Sequence, residues 1–368
     1  MEQRNKILIL NCGSSSVKYA LFTKSEKQLT KGIISHVGEK GKTHHHAIQE
    51  ILKQLLQKKY LHSYNEICAV GHRVVHGKDS TQSSIINKKI LKKIKEASVL
   101  APLHNPHNLE GISAIQKILP KIPNIAVFDT AFHTTIPEVA ATYGIPQKVS
   151  KKYHIKRYGF HGISYQYICE ERKKEQGKIP SRLIVCHLGN GSSITAIKNG
   201  KSVETSMGFT PMEGLLMGTR AGDIDVGAVF HIAKMQNECR SIDHLLNFES
   251  GLKGIAGTND MRILWKKYFK NKNAKLAIDI YCHRLQKYIG AYTAILGGID
   301  TIVFTAGIGE NCPWIREKSC QGLEFLGIQL DKEKNWKNKA KISRGKVNVL
   351  VMKTNEEKMI AREVSRLV

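Results

Sequence analysis

The stretch ILILNCGSSSVKYALF, residues 7–22, sets the first element of the fold. It begins as an apolar strand, reaches a short segment of Asn, Cys, Gly and Ser, and continues as an alternating strand. Such a segment is either a plain hairpin turn or a cradle for phosphate, because Gly and Ser let backbone N–H groups approach an anion closely. A single Gly/Ser turn does not decide between the two.

Length and composition narrow the class of protein. A chain of 368 residues exceeds one ordinary hydrophobic core, so two domains are expected. A hydrophobic content of 41% and a charged content of 24% are typical of globular proteins. No apolar run reaches the roughly 20 residues of a membrane helix, and residues 7–10 are too short for a signal peptide. We therefore expect a cytoplasmic protein with no membrane partner.

The cysteines do not form a recognisable site. The eight are scattered without a C-x-x-C pair, which argues against zinc and against a disulfide framework. They are predicted to be reduced and mostly buried. Cys12, inside the opening stretch, is interpreted as a small packing residue rather than a nucleophile, because no His or Asp motif adjoins it.

The formal net charge of +26 raises the question of a nucleic-acid partner. The lysines come in dispersed pairs rather than in a basic block, so no nucleic-acid partner is predicted, and a lysine-rich proteome or attraction of anionic substrates accounts for the charge. The tract His44, His45 and His46 resembles a metal-binding tract. Because it precedes an amphipathic segment, it is interpreted as the solvated start of a helix.

Strand-length apolar segments alternate with helical periodicity along the whole chain, which is typical of an α/β protein. Strands are predicted at residues 6–10, 17–22, 67–73, 125–129, 183–188, 193–198, 301–305 and 347–351. Helices are predicted at residues 44–58, 88–100, 109–119, 164–175, 225–236, 275–296, 313–323 and 355–366. The lysine-rich residues 147–157 are predicted to be a linker.

The opening pattern of apolar strand, polar turn and alternating strand is repeated in LIVCHLGNGSSITAIK, residues 183–198. Two such hairpins predict a duplicated domain whose two polar turns face one cleft. A third segment, IDTIVFTAGIGEN, residues 299–311, reads as a buried strand, a Gly-x-Gly turn and a helix whose start holds Glu310 and Asn311. Glycines there would let a flat group lie against the backbone, which favours a nucleoside contact.

Eight segments together resemble the acetate kinase family, within the superfamily of acetate and sugar kinases, heat-shock chaperones and actin. They are NCGSSSVKYALF, GHRVVHG, APLHNPHNLEGI, FDTAFHTTIPEVA, YGFHGISY, HLGNGSS, GFTPMEGLLMGTRAGDID and FTAGIGEN. The resemblance covers residues from about 7 to about 362 and implies two duplicated actin-like (ribonuclease H-like) α/β domains flanking a central cleft. The first would hold residues 1–133 with the helix 358–368 packed on it, and the second, nucleotide-binding domain residues 134–357.

The resemblance implies an Mg²⁺-dependent, reversible and direct in-line transfer of a phosphoryl group from ATP to acetate, giving acetyl phosphate and ADP. Such a transfer needs fixed cations more than covalent help from the protein, and arginine suits both carboxylate and phosphate. In the family, the residues matching Arg73 and Arg220 bind the carboxylate and stabilise the transition state. The residue matching His161 contacts the phosphoryl group, and the resemblance implies that Asp129 is a catalytic carboxylate that positions substrate and metal.

The remaining site residues also follow from the resemblance. Beside Arg73, the acetate pocket would be lined by Val75, Leu103, Phe160 and Pro211. The nucleotide-binding residues would be Ser14, Ser16, Lys18, His187, Asn190, Gly191, Asp260, Arg262, Gly307, Ile308, Gly309 and Asn311. The metal, Mg²⁺ or alternatively Mn²⁺, would be held by Asn11 and Glu356, although a Glu at a helix start is also a favourable dipole partner. His104 would be a secondary polar contact.

Several alternatives stay open. Propionate kinase, or another short-chain carboxylate kinase, is one, because one methylene in an apolar pocket changes binding by only about 1–3 kcal/mol. An actin-like nucleotide-binding sensor is a non-enzymatic alternative, but it would not need GHRVVHG or the apolar pocket. The sequence departs from the family at Val226, where a proline is usual, and at His107, where a small residue is usual. The resemblance also implies a homodimer.

Overall fold

A computed structural model describes residues 4–39, 41–236 and 239–368. The chain divides into two compact units, each containing one β-sheet. The first unit is assembled from the segments Met1–Thr134, Gly162–Tyr167 and Asn355–Val368. The second is assembled from Thr135–His161 and Ile168–Thr354. The prediction of an α/β protein is confirmed.

The sheet of the first unit has six strands. They are β1 (Lys6–Cys12), β2 (Ser16–Thr23), β3 (Gln28–Ser35), β4 (Ile67–Val74), β5 (Ser84–Ile85) and β6 (Asn124–Phe128). Their order across the sheet is β3-β2-β1-β4-β6-β5. β1, β2 and β3 form an antiparallel meander, whereas β4 and β6 run parallel to β1.

The sheet of the second unit repeats this plan with five strands. They are β7 (Arg182–Leu188), β8 (Ser192–Lys198), β9 (Lys201–Thr205), β10 (Thr301–Thr305) and β11 (Asn348–Val351). The order is β11-β10-β7-β8-β9, again an antiparallel meander followed by two parallel strands. The duplication that the two similar hairpins predicted is therefore present in the topology of the two sheets.

Fifteen α-helices lie in the described part of the chain. They are α1 (His44–Gln57), α2 (Lys88–Glu96), α3 (Asn105–Ile118), α4 (Glu138–Ala141), α5 (Gln147–Tyr153), α6 (Gly162–Gln176), α7 (Val226–Gln236), α8 (Cys239–His244), α9 (Gly251–Ala256), α10 (Met261–Lys267), α11 (Lys272–Leu296), α12 (Ala306–Asn311), α13 (Pro313–Cys320), α14 (Lys332–Trp336) and α15 (Glu356–Ser365). None of the helices is long and apolar enough to cross a membrane, among the residues described.

Some predicted elements differ from those observed. Residues 147–157 were predicted to be a linker, which is wrong for α5: Pro146 precedes its first turn, and two lysines lie in its last turn, where cations favour a helix. The helix predicted at residues 88–100 ends at Glu96 and continues as a 3₁₀ turn. Strands β3, β5 and β9 were not predicted, because β3 and β9 are polar edge strands and β5 has only two residues.

Each sheet carries helices that bury its apolar side chains. In the first unit, α1 and α3 cover β1 and β2 through a core that includes Leu10, Ile48 and Ile115. In the second unit, the 25-residue helix α11 packs its buried stripe on β7 and β8. Among the cysteines whose side chains are described, all are free, and Cys68 alone is not fully buried. The side chain of Cys239 lies outside the described part.

The opposite face of the first sheet is covered by α15, and Gly71 of β4 is the point of closest packing. A Cβ atom at this glycine would lie 2.7 Å from Val364 Cγ2, 2.8 Å from Ile360 Cγ2 and 2.9 Å from Ile9 Cδ1. The absence of a side chain at Gly71 therefore sets how closely α15 approaches the sheet.

We predict that Gly71→Val lowers the free energy of unfolding by about 1–3 kcal/mol, because the added methyl groups overpack the contact with α15. The measurement is a urea unfolding titration followed by circular dichroism. The matched control is Gly290→Ala in α11, where a Cβ atom meets no atom within 4 Å. That variant is expected to gain about 0.5–1 kcal/mol from helix propensity. Equal stability of Gly71→Val and the wild type would contradict the prediction.

Candidate active site

The first unit brings together Arg73, Asp129 and Glu356 at the carboxyl ends of β4 and β6. Arg73 Nε donates to Asp129 Oδ1 at 3.2 Å and to Oδ2 at 3.1 Å, and Nη2 donates to Oδ2 at 2.6 Å. Glu356, the first residue of α15, lies 3.7 Å from Arg73 Nε through its Oε2 atom. Functional groups of α/β sheets are commonly found at this edge, since the carboxyl ends of parallel strands meet there.

Burial controls the electrostatics of this cluster. The Asp129 side chain is only 1% exposed, and burial raises its pKa to about 6 even though the Arg73 guanidinium opposes the rise. The carboxylate of Glu356 raises it further. Burial lowers the pKa of Arg73, but attraction to Asp129 and Glu356 outweighs that effect, and the net pKa is raised. Arg73 is therefore a permanent cation shared by two carboxylates.

The hairpin that connects β1 and β2 carries four predicted site residues, Asn11, Ser14, Ser16 and Lys18. Gly13 N donates to Ser16 O at 2.8 Å and closes the turn, which leaves Ser14 exposed at the tip. Asn11 and Lys18 are register partners, so they lie on the same sheet face. Because side chains alternate along a strand, Asn11 shares this face with Ile9, which contacts the α15 side of the sheet.

Val75 and Leu103, two predicted pocket residues, also belong to the first unit. Val75 follows β4 directly and is buried, and Leu103 precedes α3 and is half-buried. Asn108 of α3 fixes this region: its Oδ1 accepts from Val75 N at 3.2 Å and its Nδ2 donates to Cys12 O at 2.9 Å. His104 occupies the N-cap position of α3.

In the second unit, the turn between β7 and β8 gathers His161, His187, Asn190 and Gly191. The rings of His161 and His187 stack with centroids 4.1 Å apart. A Cβ atom at Gly191 would lie 3.5 Å from His161 Nε2 and 3.6 Å from Arg220 Nη1, so these two side chains converge on this glycine. Asn190 is held in place, because its backbone O accepts from Gly218 N at 2.9 Å.

His161 is held in an uncommon conformation. Its φ of 58° lies in the left-handed region, which non-glycine residues rarely adopt. Its Nδ1 atom lies 2.9 Å from Ser193 Oγ, and Ser193 is the register partner of His187. The backbone conformation and the hydrogen bond together direct the Nε2 atom of His161 towards Gly191.

Arg220 differs from Arg73 in having no acidic partner among the residues that the structure describes. The side chain is partly buried, and its Nη1 atom donates to Pro211 O at 3.3 Å and approaches Met217 Sδ at 3.9 Å. Within the part of the chain that the structure describes, no carboxylate pairs with it. Burial accordingly lowers the pKa of Arg220. A desolvated guanidinium without a counter-charge beside a Gly-rich turn is suited to binding an anion.

The Gly-x-Gly segment after β10 forms α12, and its predicted arrangement is partly wrong. The helix begins at Ala306, so Glu310 and Asn311 lie at its end rather than at its start. Asn311 Nδ2 donates back to Gly307 O at 2.8 Å. Among the described residues, no atom beyond the adjoining backbone lies within 4 Å of a Cβ position at Gly307, so its surface is open, as a flat ligand group would require.

Asp260 and Arg262 begin α10 and are bonded to each other. Arg262 Nη2 donates to Asp260 Oδ2 at 2.6 Å, and this holds the pKa of the Asp260 carboxyl at about 2. Asp260 also caps α10 by accepting from the backbone N of Arg262. Burial is the main cause of the raised pKa of the Cys312 thiol, directly after α12; the charge of Asp260 raises this pKa further and that of Arg262 lowers it.

The other two predicted pocket residues, Phe160 and Pro211, lie in the second unit. Phe160 is buried and Pro211 half-buried.

Asn108 and Ser193, which orient other site groups, were not predicted as site residues. Arg316 was also not predicted. Its side chain is fully buried and donates to Gly309 O at 2.8 Å, a hydrogen bond that holds α12 in place. The sequence held a signal for two of these residues: the repeated Asn of HNPHN for Asn108, and the strand register of HLGNGSS for Ser193.

The comparisons with known proteins agree with this arrangement. The acetokinase family matches residues 6–362. The acetate kinase of Dictyoglomus thermophilum is 48% identical, with 99% of each chain covered. The solved structure of Porphyromonas gingivalis acetate kinase is 41% identical and covers 97% of this chain and 98% of its own, with a TM-score of 0.91. A propionate kinase from Francisella tularensis is also 41% identical, with 98% of each chain covered and a TM-score of 0.93.

The family match spans nearly the whole chain, and the structural neighbours cover both units. The fold is therefore that of the acetate kinases, two actin-like α/β domains, as the sequence motifs implied. This chain belongs to the acetokinase family.

Proposed function

We propose that this chain is an acetate kinase that transfers a phosphoryl group reversibly between ATP and acetate, by direct in-line attack of the acetate oxygen on the γ-phosphorus. The observation that carries the proposal is the guanidinium of Arg220, partly buried beside Gly191 and His161 with no carboxylate partner in the described chain. A cation held ready for an incoming anion stabilises the charge of a transferring phosphoryl group.

The proposed acceptor groups are Arg73, Asp129 and the apolar residues near them. Arg73 would bind the acetate carboxylate, and its fixed ion pair with Asp129 would hold the guanidinium plane in position. From the family resemblance, Val75, Leu103, Phe160 and Pro211 are proposed to contact the methyl group. A small apolar pocket selects short acids by excluding longer chains, although one methylene is a weak criterion.

The proposed donor groups lie on both polar hairpins and on α12. Asn190 and Gly191 would contact the phosphates of ATP, with His187 as a further contact and His161 on the transferring group. Ser14, Ser16 and Lys18 of the first hairpin are further proposed nucleotide-binding residues. Gly307, Ile308, Gly309 and Asn311 would receive the nucleoside, with Asp260 and Arg262 at its edge.

The two proposed metal ligands, Asn11 and Glu356, suit Mg²⁺ by their chemistry. The carboxylate of Glu356 and the side-chain amide oxygen of Asn11 are hard oxygen ligands, and both residues are half-buried, which leaves room for water. Such an ion would neutralise phosphate charge. Mn²⁺ accepts the same oxygen ligands and would substitute.

A hydroxamate assay for acyl phosphate tests the proposal. The purified chain would be incubated with Mg²⁺ and with acetate, propionate or butyrate, each with ATP and with pyrophosphate. We expect acyl hydroxamate with ATP and acetate, less with propionate, and none with pyrophosphate. Higher kcat/KM for propionate would favour propionate kinase, an alternative supported by the similarity to the Francisella tularensis structure. No product with any acid would overturn the kinase and favour a nucleotide sensor.

We predict that Arg220→Ala lowers kcat by roughly 10²–10³-fold, the usual effect of removing one donor to transition-state charge. Its Tm is expected to stay unchanged or rise, because the lost guanidinium is desolvated and unpaired. The matched control is Arg182→Ala. Arg182 is the first residue of β7, at the end of the strand away from Gly191, and it pairs with Asp300. A variant at Arg220 with more than about a tenth of the wild-type kcat would contradict the role.

Arg73→Ala is a less selective test than Arg220→Ala. It leaves the Asp129 carboxylate buried without its cation, and breaking a buried pair in this way costs about 3–5 kcal/mol. We therefore expect this variant to lose stability as well as activity.

The proposed oligomer is a homodimer. Helix α7 is predominantly apolar, yet none of its residues from Val226 to Met235 is buried, and Phe230 and Met235 are well exposed. A helix with so much apolar surface is normally covered. A second copy of this chain is the proposed cover.

The free thiols suit the reducing cytoplasm, which is the proposed compartment.

We predict that Phe230→Glu weakens or abolishes the dimer, because a carboxylate placed in an apolar interface is desolvated without a partner. The measurement is analytical ultracentrifugation over a range of protein concentrations. Phe269→Glu is the matched control, since Phe269 is at least as exposed but lies outside α7. A monomeric wild type, or a Phe230→Glu variant as dimeric as the control, would contradict the assignment.

A further inference from the structure

Three side chains that the proposed reaction does not use converge in the first unit: His44, His107 and Glu110. His44 is the first residue of α1, and the other two lie one turn apart on α3. One ligand atom from each lies within 4.8 Å of the ligand atoms of the other two. Two of these residues were noted in the sequence for other reasons, His44 in the tract of three histidines and His107 as a departure from the family.

The spacing of the ligand atoms is close to that of a tetrahedral metal site. His44 Nδ1 lies 2.7 Å and His107 Nδ1 3.4 Å from the same carboxylate oxygen, Glu110 Oε2. Zinc bonds to histidine nitrogen and carboxylate oxygen are about 2.0–2.2 Å long, which separates two ligands by about 3.3 Å at the tetrahedral angle. The Glu110 side chain is 56% exposed, so it is free to move the small distance required.

The second nitrogen of His44 is already engaged in the way that metal-bound histidines favour. His44 Nε2 donates to the backbone oxygen of Gly13 at 2.9 Å, because a carbonyl only accepts. This bond leaves Nδ1 facing Glu110, where either a proton or a metal ion has to lie between the two acceptors. A histidine ligand whose other N–H donates to a backbone carbonyl is oriented for metal binding. The His44 side chain is 7% exposed, so its orientation is fixed by packing.

The surroundings leave room for an ion and its water. A cavity of about 890 Å³ opens beside the cluster and is lined by His44, His107 and Glu110 together with Ser14 of the first hairpin. Three protein ligands and an open fourth position are an arrangement that zinc tolerates. The lining also includes the apolar side chains of Val37 and Leu109 and the cationic side chains of Lys42 and Lys117.

We propose that His44, His107 and Glu110 bind a divalent transition-metal ion of the zinc class. Two imidazole nitrogens with one carboxylate favour Zn²⁺, Co²⁺, Ni²⁺ or Cu²⁺ over Mg²⁺, which prefers oxygen ligands. The site is separate from the proposed Mg²⁺ ligands Asn11 and Glu356. Through the His44–Gly13 hydrogen bond, the ion would be linked to the turn that joins β1 and β2.

The experiment is a metal titration of the full chain without a histidine tag. Co²⁺ would be followed by its visible ligand-field bands, which report tetrahedral nitrogen and oxygen ligation, and Zn²⁺ by calorimetry. We expect one equivalent to bind, and Zn²⁺ to displace Co²⁺ while excess Mg²⁺ does not. His107→Ala and Glu110→Gln are each expected to weaken binding at least about tenfold.

His36→Ala is the matched control. His36 also pairs with a glutamate three residues later, Glu39 at 3.1 Å, but both side chains are exposed, and neither belongs to the His44 cluster. This variant should bind as the wild type does. Circular dichroism checks the fold of each variant, and Glu110→Gln changes only an exposed group. Binding that survives in both cluster variants, binding lost equally in His36→Ala, or displacement by Mg²⁺ would overturn the proposal and leave the cluster as an ion pair.

Discussion

The buried ion pair between Arg73 and Asp129 is the constraint on which the first unit depends. A carboxylate that is 1% exposed persists as an anion only beside a fixed cation, and the guanidinium meets it through three hydrogen bonds. The parallel register of β4 and β6 sets the two residues at one edge of the sheet. The close approach of α15 at Gly71 then adds Glu356. Backbone packing therefore determines where the charges lie.

The two arginines of the proposed site are prepared in opposite ways. Arg73 is neutralised by carboxylates, so its value lies in a fixed orientation. Arg220 donates to a backbone oxygen and approaches a sulfur atom, and among the described residues no carboxylate neutralises it, so its charge is left for an incoming anion. Placing a desolvated cation costs folding free energy, whereas an anion that binds there recovers it. His161 lies beside the same turn, at Gly191, and its strained backbone conformation also costs folding free energy.

Much of this arrangement was predictable from local sequence. The two hairpins were predicted correctly because strand alternation and Gly/Ser turns act over a few residues, and the strands at residues 301–305 and 183–188 agree with β10 and β7 to within one residue. Local patterns fail where tertiary contacts decide. The polar edge strand β9 is stabilised by pairing with β8, and α12 starts earlier than its glycines suggest. The hydrogen bond between His161 and Ser193 joins segments 32 residues apart, and Arg316 joins Gly309 of α12 to Asn335 of α14, so both contacts depend on tertiary packing.

The segmented construction of the first unit has a consequence for biosynthesis. The strands that carry Arg73 and Asp129 leave the ribosome early, but Glu356 and the helix that covers Gly71 follow only after the long segment Ile168–Thr354. Until then the nascent sheet has an uncovered apolar face, a state prone to association with chaperones or with other chains. The first unit therefore completes its core only when α15 packs on the sheet at Gly71, and any delay before that contact prolongs the exposure of this face.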